Sequence, residues 1–127
     1  TSGHLRSWAG LCPRMDESAG KRRNTRIRKG AQWLKPVLIQ CAWSAVRSAG
    51  YLKSQFLRLK SRRGPKKAIV AVAASILGAA YAILKDGQVY RALGADHFTR
   101  NDRMRTVTKL TNRLRQLGYE VELRAAA

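Results

Sequence analysis

A compact, mainly α-helical domain is what this sequence predicts, with an irregular basic loop near its start and room for one short strand near its C-terminus. Three observations carry the prediction. Apolar residues recur at intervals of three and four through residues 31–49, 51–64 and 100–117, the spacing that lines one face of a helix. A 17-residue apolar run, Ala68–Leu84, lies between Pro65 and Gly87, residue types that open and close helices. The chain has 127 residues, enough to bury the core of one modest domain.

The elements follow in order. HLRSWAGL, residues 4–11, places Leu5, Trp8 and Leu11 three apart before Gly10, Cys12 and Pro13 break the pattern, so a helix ends there. With no initiator Met and a helix already under way at the first residues, the chain reads as a piece of a longer protein; no secretory signal is visible. Residues 14–30 are polar and basic with neither period, which predicts a loop or irregular ribbon. From Ala31 to Ala49, Leu34, Leu38, Cys41, Ala42 and Ala45 mark an amphipathic helix. Pro36 requires that helix to begin near Lys35 or to kink. Residues 51–64 give a second such helix, with Leu52, Phe56 and Leu59 on one face.

The run Ala68–Leu84 touches the lower length limit of a membrane-spanning helix. Seven of its 17 residues are alanine, and Ser75 and Gly78 dilute it further, so a buried helix is the expectation and no membrane partner is inferred. Ala71, Ala74, Ser75, Gly78 and Ala82 would form a small-residue stripe for a close neighbour, with Ile69, Val72, Ile76 and Ile83 filling the other side. Residues 88–99 suggest a short helical turn and a loop. Thr99 or Asn101 then caps a last helix to about Leu117, its Met104, Val107, Leu110, Leu114 and Leu117 facing inward. YEVEL, residues 119–123, alternates in the manner of a strand.

Charge bounds the partner. Lys and Arg number 26 against 7 Asp and Glu, a formal net charge of +19. Nucleic acid is the polyanion that fits best, because each neutralised phosphate releases condensed counterions. Cys12 and Cys41 form no metal or disulfide pattern and read as reduced, in a cytoplasmic protein. His4 and His97 are isolated, and Asp86, Asp96 and Asp102 fall at turns or helix starts, where capping accounts for them. No metal site is therefore expected in this chain. Trp33, Trp43, Tyr51 and Phe56 do not interleave with the cations and read as core rather than as a stacking platform.

Ser18 is the residue with chemical interest. It precedes a run in which six of nine positions, Lys21, Arg22, Arg23, Arg26, Arg28 and Lys29, are basic. A serine in such a loop serves most simply as a turn residue or a donor to a phosphate oxygen. The same cations would also stabilise an alkoxide and the charge developing on an attacked phosphate, and Gly20 permits close backbone approach. Spacing leaves both roles open. Arg62, Arg63, Lys66 and Lys67 form a second basic group between two predicted helices.

The order SWAGLCP, DESAGKRR, KGAQWLKPVLIQCAWSA, SQFLRLKSRRGPKKAIVAVAASILGAAYAILKDG and YRALGADHF, across residues 1–123, resembles the C-terminal domain of the DEDD transposases of the insertion-sequence one-ten group. Residues 124–127 would be a tail. The resemblance implies an RNA-guided recombinase, of the bridge-recombinase kind, that mobilises an insertion element. Ser18 would attack a DNA phosphodiester and form a transient phosphoserine link, with Lys21, Arg22 and Arg23 beside the phosphate. Its partners would be donor and target DNA, a structured guide RNA and further copies of the protein, in the cytoplasm at the nucleoid. A divalent metal, magnesium, would be held by four acids of an upstream RuvC-like domain, which these 127 residues do not contain. Ala19 departs from the family's serine-glycine spacing, and Pro36 is a second departure. The expectation is a fragment or truncated remnant that binds nucleic acid without recombining it.

Overall fold

The computed structural model describes residues 1–14, 16–24 and 26–124, apart from the side chains of Arg22 and residues 99–102. It divides into two compact units, Thr1–Ala95 and Asp96–Ala127. The first contains α1 (Ser2–Trp8), a hairpin of β1 (Asp16–Ser18) and β2 (Lys21–Asn24), α2 (Leu34–Ala45), α3 (Tyr51–Arg63) and α4 (Pro65–Asp86). The second contains α5 (His97–Gln116). The mainly helical expectation holds.

α4 is the axis of the first unit, and α1, α2 and α3 all pack on it. Its Ala68, Ile69, Val72, Ala73 and Leu77 join Ala9, Leu11, Leu38, Ala42 and Phe56 in one buried cluster. Small residues let the neighbours come close. Gln55 of α3 donates to the Ser75 hydroxyl at 2.9 Å, and Ser75 donates in turn to the Ala71 carbonyl at 3.2 Å. Gly78 is buried beneath the Arg6 guanidinium, which occupies the space a Cβ there would need. The stripe ends sooner than its spacing suggests, for Ala82 and Ile83 are exposed. By length and composition α4 is also able to cross a membrane, a test that the core helix of a soluble protein passes as well.

Pro36 is accommodated by the helix start. α2 begins at Leu34, so Pro36 lies in the first turn, where a backbone N–H has no intrahelical acceptor to lose. The helix stops at Ala45, earlier than its apolar spacing suggests, and a turn leads to Gly50. Pro65 opens α4 at its first position, and Gly87, with φ 63°, closes it in the left-handed conformation.

Several expectations are corrected. Residues 14–30 contain a hairpin rather than only an irregular loop. The short C-terminal strand is absent among the described residues, since 119–124 have no strand pairing. Residues 88–94 have no helical turn, and Asp96, rather than Thr99 or Asn101, stands at the N-cap position of α5, without a side-chain capping hydrogen bond. Within the second unit, Met104, Leu110, Leu114 and Leu117 of α5 are exposed and Val107 is half-buried.

Candidate nucleic-acid interface

The hairpin fixes the position of Ser18. Ser18 pairs with Lys21 across a two-residue loop, Ala19-Gly20, whose φ values are 50° and 73°. Positive φ at both positions is what the primed hairpin turns with the right twist require. Gly20 adopts it freely, whereas the Ala19 Cβ makes that conformation unfavourable by about 1–2 kcal/mol. Glu17 pairs with Arg22 and Asp16 with Asn24, so Arg23 is an extra residue in β2, a bulge that bends the strand. Behind the bulge, the Asn24 side chain accepts from the Arg26 amide at 2.9 Å. Arg14 donates to the Arg26 carbonyl at 3.1 Å, and Pro13 bridges Ile27.

At its root the ribbon passes through a narrow neck. A Cβ on Gly10 would lie 2.7 Å from the Gly30 nitrogen and 2.8 Å from the Arg28 carbonyl oxygen, and one on Gly30 would collide with the main chain of Ala9 and Gly10. Two backbones meet here without side chains between them. Because Ala9 and Leu11 are core residues, the neck joins the ribbon to the helical frame.

Beyond the neck the ribbon is solvated. Ser18, Ala19, Gly20, Lys21, Arg23, Arg26, Arg28 and Lys29 are exposed, and no described acidic side chain pairs with these cations. The backbone of Arg22 lies in β2; its side chain is outside the described residues. The Ser18 hydroxyl has no hydrogen-bond partner among the described residues. Its side chain shares a face with Lys21, since directly paired residues point the same way, about 5 Å apart at Cβ.

The second basic group lies at the corner where α3 meets α4. Arg62 and Arg63 end α3, Gly64 turns with φ 81°, and Lys66 and Lys67 follow Pro65 into α4. All four cations are exposed. Arg62 and Arg63 also complement the negative end of the α3 dipole. Lys66 and Lys67 gain no such stabilisation, because they stand at the positive end of α4.

A metal centre does not fit these residues. Among the described residues no three His, Cys, Asp or Glu side chains are grouped to hold an ion. Cys12 and Cys41 are free thiols, half-buried and exposed respectively.

The aromatic residues depart most from expectation. Phe56 is buried and Tyr51 half-buried, but Trp43 is 45% exposed and Trp33 is 70% exposed. Trp43 meets the Phe56 ring edge to face at 5.7 Å between centroids. Trp33, at the N-cap of α2, meets Trp8 at the end of α1 in the same manner, at 6.3 Å. Sequence periodicity gave no sign of this pair, because each tryptophan stands at a helix boundary.

The family model described as Transposase IS116/IS110/IS902 family matches residues 1–57. That segment contains the whole ribbon, the neck and Ser18, and it ends within α3. No curated protein and no solved structure matches the chain.

Proposed function

We propose that this chain is the serine-bearing part of an insertion-sequence transposase, contacting DNA and a structured guide RNA through its basic ribbon and the α3–α4 corner. The observation that carries the reading is the position of Ser18, at the exposed tip of a cationic hairpin inside the segment that resembles a transposase family. In the proposed step the Ser18 oxygen bonds to phosphorus, a bond from phosphorus to a deoxyribose oxygen breaks, the serine proton passes to solvent and the freed deoxyribose oxygen takes up a proton from solvent. One phosphodiester is exchanged for another, so the step is reversible and needs no nucleotide cofactor. Lys21, Arg22, Arg23 and Arg26 would stabilise the charge developing on the phosphate oxygens. Divalent-metal binding is assigned to a RuvC-like part of the longer protein, which also functions as an oligomer in the cytoplasm, at the nucleoid.

A second reading, a nucleic-acid-binding module without catalysis or an inactive remnant, is favoured by one observation. No described side chain hydrogen-bonds the Ser18 hydroxyl, so none of the described residues is placed as its general base. The experiment that separates the readings uses the full-length protein with its guide RNA and DNA, searched for a denaturation-resistant protein–DNA adduct. An adduct mapped to Ser18 and absent in Ser18→Ala supports the nucleophile. Strand cleavage without an adduct, or transposition unchanged in Ser18→Ala, reduces Ser18 to a phosphate contact.

A further inference from the structure

Two tryptophans stand where folded domains seldom leave one uncovered. Trp8 and Trp33 are 56% and 70% exposed, although tryptophan is among the most buried residue types on average. Their rings meet at an interplanar angle of 70°. An edge-to-face contact steadies both rings yet leaves open the faces of the ring that contributes the edge. The pair flanks the neck, since Trp8 precedes Gly10 by two residues and Trp33 follows Gly30 by three.

The surroundings are cationic. Arg28 and Lys29 are exposed immediately before Gly30, and the Lys35 ammonium is 3.5 Å from the Arg28 carbonyl. Between Ser18 and Lys85 the sequence contains no Asp or Glu at all. Neighbouring side chains from this long stretch therefore offer no internal counter-charge. Exposed aromatic faces beside a cationic track match single-stranded nucleic acid, whose unpaired bases stack and whose phosphates pair with the cations. A duplex matches only the cations, because its base faces are covered by one another.

We infer that the Trp8–Trp33 pair is a stacking platform for an unpaired base, with the adjoining phosphates on Arg28, Lys29 and Lys35. The inference rests on the nucleic-acid reading above and specifies the strand state of the ligand. It also bounds a distance. Ser18 lies eight residues along the chain from Gly10, a reach of at most about 29 Å. That reach limits how far the serine can stand from the neck that the platform flanks.

The test measures fluorescence anisotropy of a labelled oligothymidylate and a labelled duplex of equal length, titrated with the chain Thr1–Ala127 over a series of salt concentrations. Trp33→Ala is expected to weaken single-strand binding by about 5- to 150-fold, the range of one base–aromatic stack. The salt slope and the duplex affinity should stay unchanged, because no cation is removed. Trp33→Phe should restore most of the loss, since a smaller ring still stacks. Equal losses on both ligands, or no loss on the single strand, would overturn the platform while leaving nucleic-acid binding intact. Failure of the unaltered chain to bind either ligand would overturn both readings.

Discussion

Gly10 and Gly20 have nearly the same backbone conformation in very different surroundings, which allows the neck to be tested by one pair of substitutions. Their φ values are 72° and 73°. Alanine in the left-handed region is disfavoured by about 1–2 kcal/mol, and the reduced freedom of the unfolded chain offsets about 0.4–1 kcal/mol of that. Gly20→Ala meets nothing within 4 Å, so its net destabilisation is about 0.5–1 kcal/mol. Gly10→Ala carries the same conformational term and a steric one. Its Cβ would stand 2.7–2.8 Å from three backbone atoms of Arg28 and Gly30, against ordinary contacts of 3.4–4 Å. Backbone cannot rotate out of the way as a side-chain tip can, so overpacking adds about 1–3 kcal/mol. Since Ala9 and Leu11 are buried on either side, the strain reaches the helical core. Thermal unfolding followed by far-ultraviolet circular dichroism should place Gly10→Ala about 4–12 °C below Gly20→Ala. Equal melting temperatures would refute the close approach.

Three further outcomes follow from particular contacts. Phe56→Ala removes a buried ring that touches Trp43 and should destabilise by about 3 kcal/mol in urea titration, near the lower end for such truncations because the Trp43 side is open to water. Gly78→Ala collides with the far end of a flexible side chain, the Arg6 guanidinium. Its effect should stay below about 1 kcal/mol and should shrink further when combined with Arg6→Ala, which a double-mutant cycle will show. Replacing exposed Lys66 and Lys67 together by alanine should lower the slope of log K against log salt on duplex DNA by about 1.8, if both meet phosphates. The unaltered chain, with six phosphate contacts, should show a slope of about −5. An unchanged slope in the double variant would remove the α3–α4 corner from the interface.

The helices were legible because their signals are local and mutually consistent. Pro65, Gly87 and the apolar run between them defined α4 to within a few residues, and Pro36 limited where α2 could start. The hairpin was less visible. Its turn carries Ala19 where asparagine, aspartate or glycine usually announces positive φ, and its strands have no apolar alternation because neither face is covered. The apolar stripe of Met104, Leu110, Leu114 and Leu117, exposed within its own unit, shows another limit. Helical spacing identifies an apolar stripe, but it does not supply the partner that would bury it.

The same limit separates the electrostatic part of the candidate site from its aromatic part. A stretch without acids from Ser18 to Lys85 leaves its cations no ion-pair partner within that segment, so the cationic footprint can be read from composition before any fold is known. An aromatic ring has no such sign of its exposure. Trp33 and Phe56 are both flanked by apolar and basic residues in sequence, and only one becomes core. Phe56 lies mid-helix on the face that α3 presents to α4, whereas Trp33 precedes the first turn of α2, where the incoming chain from Gly30 directs it toward Trp8. The neck glycines make that geometry possible, because any side chain at Gly10 or Gly30 would separate the two segments that deliver the tryptophans to each other. An exposed pair built in this way depends on a tertiary close approach, and the positions that reveal it are the two residues without side chains.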